Sequence, residues 1–463
     1  MTEFDLAVIG GGPAGYAAAL RARHRGLTVV LVEERDVGGV CLNRGCIPTK
    51  VLLHVVEISA AVAALGASGV FTSVPSLDHD RAVAHRDGVV ATLRGGVHSL
   101  LRSAGVEVVA GRGRLGEGGV VVGDRTIEAR HVLVATGSSP SRPRLPGMDL
   151  EGVVDSDGVL ALTVVPERVL VIGAGAVGCE WAAVLKGFGA AVVVAEMAGQ
   201  VLPNEDAAAA KVLERSLASR RIDVRTGVEV AGVERAGARL TVSVSGQEEI
   251  VDLVLVATGR RPNTDGLGLE EQGVALDGNG FVKTDVTMRT SAGDISAAGD
   301  VAGAPLLAHK AAHEALVAVD RLAGLEAAVR HDLVPSVTYT TPEVASVGMT
   351  LDAARQRDAS SEAHSVPFAA IGRAVGTGHA EGFAQLVTSG AHHRVVGGQI
   401  VGPHAGELIA EVALAVELEA TLDDLAATIH AHPTHSEVLY EVALAGLGVP
   451  LHVSRPGARR GAM

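Results

Sequence analysis

The chain repeats one pattern, an apolar strand, a Gly-x-Gly-x-x-Gly turn, an alanine-rich helix and a second apolar strand that ends in glutamate. The copies occupy residues 4–34 and 168–197. Their glycines are Gly10, Gly12 and Gly15 in the first copy and Gly173, Gly175 and Gly178 in the second. The terminal glutamates, Glu33 and Glu196, follow the first glycine of their copy at the same spacing. Such a repeat predicts an α/β protein with two βαβ modules, each with parallel strands.

Each glycine of the turn has a separate physical role. The first allows the tight strand-to-helix turn, the second lets a pyrophosphate approach the backbone, and the third lets the helix pack close to the strand. The helix N-terminus offers free N–H groups to phosphates, and the terminal glutamate can accept hydrogen bonds from ribose hydroxyls. An ordinary glycine turn could explain one copy, but two complete copies predict two dinucleotide sites. No lysine or arginine follows Glu196 up to Gln200, which favours NAD over NADP.

Two further strand patterns, residues 131–137 and 252–259, end in Ala-Thr-Gly, and their glycines, Gly137 and Gly259, suit close approach of a ligand to the backbone. A later strand ends at Asp300, just before a helical pattern over residues 306–324. A carboxylate in this position can hold a polyol chain or cap the helix, and its spacing leaves both interpretations open.

Composition excludes several classes of protein. The 463 residues suggest about three domains, and the net charge of −14 argues against nucleic-acid binding. No stretch reaches the roughly 18 uncharged apolar residues of a membrane span. Three cysteines are too few for a secreted disulfide scaffold, and a strand pattern begins at Phe4 without room for a signal peptide. We therefore expect a cytoplasmic protein without a membrane segment.

Cys41 and Cys46 stand five residues apart in a glycine-rich segment, and Lys50 follows Cys46 by one helical turn. A regular helix would place the two cysteines too far apart for a disulfide, so a bridge needs a distorted first turn, which the neighbouring glycines permit. A helix N-terminus also favours a thiolate. The alternative is a pair of unbridged structural cysteines. Cys179, inside the second alanine-rich helix, is interpreted as a small core residue.

His432 precedes Pro433, and Glu437 begins a helical pattern five residues after the histidine. An imidazole oriented by a carboxylate is a general base that can move thiol protons near neutral pH. The alternative is a helix entry in which Thr434 or Ser436 is the cap. His430 and His435 are interpreted as surface histidines.

The segments GGVCLNRGCIPTK and HAHPTHSE, supported by GAGAVGCE, ATGRRPNT and SAAGDVAGAPLLAHKAAHE, resemble the pyridine nucleotide–disulfide oxidoreductases. The resemblance extends from Phe4 to about Val453. It implies two Rossmann-like dinucleotide-binding domains and a C-terminal α+β dimerisation domain. On this basis we expect an FAD domain in two parts, residues 1–148 and 271–334, around an NAD domain, residues 149–270. The dimerisation domain would cover 335–453, and a disordered tail 454–463.

The resemblance also implies a role for each candidate residue. Gly10, Gly12 and Gly15 would line the FAD pyrophosphate, Glu33 would bind the adenosine ribose, Lys50 would lie near the flavin and Asp300 would bind the ribityl or phosphate region. Gly173, Gly175, Gly178 and Glu196 would hold NAD, with Glu180 near the nicotinamide and paired with Lys50. Gly137 and Gly259 would be further cofactor-binding turns. Cys41 would meet the substrate and Cys46 the flavin, while His432 and Glu437 would act on the disulfide of the second subunit.

The activity implied is oxidation of dihydrolipoamide to lipoamide with reduction of NAD⁺ by a homodimeric flavoprotein. Lipoamide would arrive on a lipoyl-domain protein, and the acyltransferase core of a 2-oxoacid dehydrogenase complex is a possible partner. The alternative is an NAD(P)H-dependent reductase of another low-molecular-weight disulfide. Arg44 departs from the small apolar residue frequent in relatives, and it either tunes the thiolate by its charge or faces solvent.

Overall fold

The structure is a computed structural model that describes residues 3–454. Of the tail expected at 454–463, all but the first residue lies outside the described residues. The strands are β1 (Phe4–Ile9), β2 (Val29–Glu33), β3 (Glu107–Ala110), β4 (Gly113–Gly116), β5 (Gly119–Val122), β6 (Arg125–Val134), β7 (Ser138–Pro140), β8 (Val153–Val154), β9 (Arg168–Ile172), β10 (Ala191–Glu196), β11 (Asp223–Thr226), β12 (Val230–Ala236), β13 (Arg239–Val244), β14 (Gln247–Val251), β15 (Leu253–Val256), β16 (Arg260–Pro262), β17 (Ile295–Ala297), β18 (Ser336–Thr338), β19 (Glu343–Gly348), β20 (Glu362–Pro367), β21 (Phe383–Ser389) and β22 (Arg394–Gly402).

The helices are α1 (Pro13–His24), α2 (Gly39–Arg44), α3 (Cys46–Ala67), α4 (His79–Ser103), α5 (Ser156–Leu160), α6 (Ala176–Gly187), α7 (Ala207–Ser219), α8 (Ala308–Leu322), α9 (Leu351–Arg357), α10 (Gly372–Gly376), α11 (Ala405–Glu417), α12 (Leu422–Ala427) and α13 (Glu437–Gly446). Short 3-10 helices cover Asp300–Ala302, His331–Leu333 and Phe368–Ala370.

The chain forms two compact units. The first unit contains the described residues up to Arg144 together with Val153–Val165 and Leu255–His331. The second unit contains Leu145–Gly152, Pro166–Val254 and the described residues from Asp332 onward. Both units are therefore discontinuous in sequence.

The first unit is built on a parallel sheet in the order β3, β2, β1, β6, with β17 also parallel to β6 and an antiparallel extension through β5 and β4. Both faces of β1 are buried. Leu6 and Val8 pack with α1 and α8 on one face, while Ala7 and Ile9 pack in a second apolar cluster on the other. Burial on both faces explains why this strand is a continuous apolar run rather than an alternating one.

The second unit contains three sheets. The first has β11, β10 and β9 in parallel, with β15 beside β9, and it repeats the βαβ arrangement of the first unit. An antiparallel sheet of β12, β13 and β14 follows. The third is antiparallel, in the order β18, β19, β22, β21, β20, and its core is shared with α11, α12 and α13. The predicted architecture of two dinucleotide-type modules and a C-terminal α+β domain is confirmed.

The segment Gly39–Ala67, which contains α2 and α3, is long and apolar enough to cross a membrane by length and composition, with a mean hydropathy of 1.7 in its most apolar window. It carries Arg44, Lys50 and Glu57, so it is not an uncharged apolar run. Only 11% of that window is buried within the chain. The cysteine pair lies at the start of this segment.

Candidate active site

The first glycine turn has the shape that a dinucleotide requires. Gly10 has a φ of +103°, and a Cβ there would lie 2.4 Å from the carbonyl oxygen of Ala135. A Cβ at Gly15 would lie 1.7 Å from the Gly10 carbonyl oxygen, so only glycine lets α1 approach the turn this closely. At Gly12 the nearest atom is the Gly39 Cα at 3.8 Å, which leaves the backbone open. The open cradle fits the pyrophosphate of FAD.

The second turn repeats this arrangement. Gly173 has a φ of +101°, Gly178 is buried in α6, and no described atom lies within 4 Å of a Cβ added at Gly175. The backbone is therefore again open at the second glycine, while the first is left-handed and the third is buried. This cradle fits a second dinucleotide.

The two terminal glutamates are held in the same way. Glu33 accepts hydrogen bonds from the backbone N–H of Gly11 at 2.5 Å and of Arg35 at 2.7 Å. Glu196 accepts from the equivalent N–H groups, those of Ala174 at 2.6 Å and Ala198 at 2.8 Å. Each carboxylate is thus fixed beside its glycine turn, where an adenosine ribose would bind. A 2′-phosphate at Glu196 would meet this negative charge, with no basic residue in the following four positions to offset it.

The cysteine pair lies at a break between two helices. Helix α2 ends at Arg44, Gly45 leaves the helical conformation, and α3 starts at Cys46. Two left-handed glycines, Gly38 and Gly39, begin α2. The predicted distortion is therefore confirmed. It is a full interruption rather than a bent first turn, and it brings the two thiols within hydrogen-bond distance of each other.

In this reduced pair Cys41 retains its proton. The hydrogen bond with Cys46 raises the pKa of Cys41 far above its ordinary value, and burial and the Cys46 charge act in the same direction. The ammonium of Lys50 opposes this rise in pKa but is outweighed. The pKa of Cys41 is therefore not lowered by its position near the start of α2. Cys179 is fully buried, and burial raises its pKa to about 12, which confirms it as an unreactive core thiol.

Two neighbours of the pair have contacts that were not assigned from sequence. Arg44 forms an ion pair of 2.8 Å with Asp157, and its side chain is 31% exposed. Tyr16 of α1 was missed. Burial raises its pKa, and an electrostatic interaction with Cys41 raises it further, so its phenol lies near that thiol. The only indication of Tyr16 in the sequence was its position, one helical turn after Gly12.

Asp300 is not the cap of a helix. It is the first residue of a 3-10 turn whose N-cap is Gly299, and its carboxylate accepts a hydrogen bond of 2.5 Å from the Ser138 hydroxyl. The guanidinium of Arg260 donates to the same hydroxyl at 2.7 Å and lies 3.9 Å from Asp300. Ser138 directly follows Gly137, so Asp300 is held beside that turn. The structure therefore does not support the capping interpretation of Asp300.

A buried ionic network supports the Asp300 loop and was not found from sequence. The side chains of Lys310 and Glu314 on α8 are 0% and 1% exposed, with 3.1 Å between Nζ and Oε1. Glu314 accepts from the Gly299 N–H at 2.7 Å, and Lys310 donates to the carbonyl oxygens of Gly299 and Gly303 at 3.3 and 2.6 Å. His331 also contacts Glu314 at 2.7 Å. The available signal was an i,i+4 charge pair on a helix face that is otherwise alanine.

His432 and Glu437 lie together in the second unit. Nδ1 of His432 is 2.9 Å from Glu437 Oε1, and the other carboxylate oxygen accepts from the Thr434 N–H at 2.8 Å. The imidazole is 77% exposed, so its second nitrogen is accessible. Burial raises the pKa of Glu437, but the hydrogen bonds from Thr434 and His432 outweigh it and hold the pKa below its ordinary value. Glu437 therefore stays ionised and orients the ring, while Ser436 occupies the cap position without a capping bond.

The interpretation of the two neighbouring histidines as surface residues is wrong. The side chain of His430 is only 6% exposed, with Nε2 2.8 Å from Glu411 Oε1. Nε2 of His435 is buried without a hydrogen-bond partner in residues 3–454, and its ring lies 4.9 Å from that of His404. Burial lowers the pKa of His435, as do the charges of His404, Arg373 and His379. The ring of His430 is thus covered by neighbouring side chains, and at least one ring nitrogen of His435 is buried.

The fold and the site together define a nucleotide-dependent disulfide oxidoreductase. The family model described as "Pyridine nucleotide-disulphide oxidoreductase" matches residues 4–315, and that of its dimerisation domain matches residues 334–443. The chain belongs to this family. It is 44% identical to a dihydrolipoyl dehydrogenase of Thermus scotoductus over 98% of this chain and 99% of that protein. It is 39% identical to one of Chlamydia muridarum over 97% and 98% of the two chains.

A solved structure gives the same result. The crystal structure of LpdA from Mycobacterium tuberculosis superposes with a TM-score of 0.89 at 30% identity, covering 95% of this chain and 98% of that one. The similarity thus extends over both dinucleotide modules and the C-terminal domain, and it leaves no large segment of either protein unmatched.

Proposed function

We propose that the protein oxidises dihydrolipoamide to lipoamide and reduces NAD⁺, as a homodimer that uses FAD. Gly10, Gly12, Gly15 and Glu33 would hold the adenosine diphosphate half of FAD, with Asp300, Lys50 and the turns of Gly137 and Gly259 along the rest of it. Gly173, Gly175, Gly178, Glu180 and Glu196 would hold NAD. When bound, FAD accepts the electron pair of the dithiol and passes it on to NAD⁺ as hydride. The observation that carries the proposal is the hydrogen-bonded Cys41–Cys46 pair at the helix break.

The chain's own residues account for the thiol chemistry. His432, oriented by Glu437, takes a proton from one thiol of the substrate. The resulting thiolate attacks Cys41 of the oxidised pair in the other subunit, which forms a mixed disulfide and releases Cys46 as a thiolate. The second substrate thiol then displaces Cys41, and cyclic lipoamide leaves. The cysteine pair has gained two electrons, and the high pKa of Cys41 lets it retain a proton while Cys46 carries the charge.

Substitution of Cys46 tests this function. We expect Cys46→Ser to lower lipoamide turnover by at least about 10³-fold, because removing a covalent nucleophile abolishes its chemistry, while the bound FAD is retained. Cys179→Ala is the matched control, since the Cys179 thiol is buried and its pKa is raised to about 12. Lipoamide turnover and flavin content are measured on both variants. Undiminished turnover in Cys46→Ser would contradict the mechanism.

The runner-up function is reduction of another low-molecular-weight disulfide. Faster turnover of glutathione disulfide with NADPH than of lipoamide with NADH would support it.

Docking to the acyltransferase core of a 2-oxoacid dehydrogenase complex also remains a proposal. It is tested by retention on the purified core, and no retention would exclude stable docking. We further propose the domain boundaries stated from sequence and a cytoplasmic location.

A further inference from the structure

Two histidines and a glutamate meet on the C-terminal antiparallel sheet, in a part of the second unit that the proposed reaction does not use. Glu362 and His364 lie two residues apart on β20 and so point to the same face. His393 lies on the turn between β21 and β22. One ligand atom from each of these three residues lies within 4.8 Å of the other two.

The ring of His364 is held from two sides. The buried hydroxyl of Thr388, on the neighbouring strand, lies 3.1 Å from its Nε2. The end of α13 packs against the ring, since a Cβ added at Gly446 would lie 2.9 Å from the His364 Cγ. The side chain of His364 is accordingly 12% exposed. A ring fixed in this way is preorganised as a ligand, and an ion bound at Nε2 would displace the Thr388 hydroxyl from that nitrogen.

The backbone of His393 is fixed as well. Its N–H donates to the Gly390 carbonyl oxygen at 3.1 Å, and its own carbonyl oxygen accepts from the Leu422 N–H at 3.2 Å. His393 adopts a φ of +50°, a left-handed conformation that a residue with a side chain rarely adopts. The turn therefore presents this imidazole toward β20 at a conformational cost. His392, its neighbour in sequence, is exposed and is not part of the group.

We propose that Glu362, His364 and His393 bind a divalent transition-metal ion, with Zn²⁺ as the best fit. Two imidazoles and one carboxylate are a usual donor set for zinc. Ligand atoms in a tetrahedral zinc site are about 3.4 Å apart. His364 Nε2 and Glu362 Oε2 are already 3.9 Å apart, and the Glu362 side chain is 61% exposed, so it can move toward the ion. The ion would connect β20 to the turn between β21 and β22.

The test measures zinc binding to the tag-free holoenzyme with its cysteine pair oxidised, because reduced thiols also bind zinc. We expect His393→Asn to lose one equivalent of Zn²⁺ per chain, by equilibrium dialysis with metal analysis, relative to the unchanged protein. Asparagine suits the left-handed backbone, so this variant removes the imidazole and preserves the turn. His392→Asn is the matched control and should keep the full stoichiometry.

A second readout is the rise in Tm on addition of Zn²⁺, which is present only if the ion binds the folded protein more tightly than the unfolded one. We expect the unchanged protein and His392→Asn to show this rise and His393→Asn to lose it. Equal zinc stoichiometry in the two asparagine variants would overturn the site, since zinc would then be bound elsewhere. So would absence of zinc binding by the unchanged holoenzyme.

Discussion

At the scale of single residues, we expect Glu196 to determine which nicotinamide nucleotide is accepted. Two backbone N–H groups fix its carboxylate beside the second glycine turn. We expect NADH to give a higher kcat/KM than NADPH. Glu196→Gln should raise the kcat/KM for NADPH about tenfold, because it removes a charge that repels a 2′-phosphate.

The equivalent change in the first module, Glu33→Gln, is the control, since it should affect FAD retention and leave the nucleotide preference unchanged. Steady-state assays with both nucleotides give the comparison. A higher kcat/KM for NADPH in the unchanged protein would refute this role of Glu196.

The His430–Glu411 pair should make stability depend on pH. The hydrogen bond with Glu411 raises the pKa of His430, and burial opposes the rise without cancelling it. A histidine whose pKa is raised by folding stabilises the protein fully below its unfolded pKa of about 6.5, and loses that contribution as the pH rises through the folded pKa. We expect Glu411→Gln to remove up to about 1 kcal/mol of stability at pH 5.5 and little at pH 9.

The measurement is the thermal midpoint of the two proteins across this pH range. The His432–Glu437 pair is unchanged in the variant, so both proteins keep the proposed catalytic groups. A difference in Tm that stays constant from pH 5.5 to pH 9 would show that titration of His430 is not its cause.

At the scale of elements, α8 supports the loop that carries Asp300. We expect Lys310→Met to destabilise the protein by about 3–5 kcal/mol and to lower FAD retention, because it leaves the Glu314 carboxylate buried without its cation. The double variant Lys310→Met with Glu314→Met should regain much of the stability, since apolar side chains of similar volume replace a buried pair well.

Flavin retention separates the two roles of this network. The double variant still lacks the acceptor for the Gly299 N–H and the donor to the Gly303 carbonyl, so its FAD affinity should stay low while its Tm recovers. Full recovery of both would mean that the network contributes to stability alone.

Elements with a local cause were predictable from sequence. Thr421 caps α12 with a capping box, where the Thr-Leu-Asp-Asp pattern indicates a new helix. The strands and helices of both glycine modules follow from periodicity and spacing in the same way. The sequence predicted a distortion near Cys46 but not a full interruption of the helix at Gly45. The contacts that favour two separate helices over one continuous helix come from outside this segment. The Lys310 and Glu314 network was missed since its partners are backbone groups of a distant loop.

At the scale of the whole molecule, the reaction should need two subunits. The dimerisation domain is present, and we propose that His432 of one subunit serves the cysteine pair of the other. Cys46→Ser and His432→Gln homodimers should each be nearly inactive in lipoamide turnover. After random subunit exchange, about a quarter of the original turnover should return, because half of the dimers are hybrids with one intact site of two.

Each variant exchanged with itself is the control for the mixing procedure. If the base acted on the cysteines of its own chain, no hybrid would contain an intact site, and the mixture would stay inactive. This outcome would exclude the shared site while leaving the thiol chemistry itself intact.

The discontinuity of the first domain was predictable only by resemblance. Length suggests about three domains, but the return of residues Leu255–His331 to the first unit depends on the pairing of β17 with β6, which connects segments far apart in sequence. The cysteine and histidine motifs were found because their spacing is local. The inward positions of His430 and His435 were missed because the elements covering them are remote.

Glu33 and Glu196 are held by equivalent backbone N–H groups, and this similarity affects how the protein distinguishes its two coenzymes. FAD and NAD share an adenosine diphosphate half, and each glycine turn with its glutamate addresses that shared half through nearly identical groups. Neither turn can therefore tell the two coenzymes apart by what it contacts. On the proposed assignment of residues, the choice would fall on the dissimilar ends, the flavin near Lys50 and Asp300 and the nicotinamide near Glu180. The two modules would bind the same adenosine half, so they would differ in coenzyme specificity only through the residues that surround the other half.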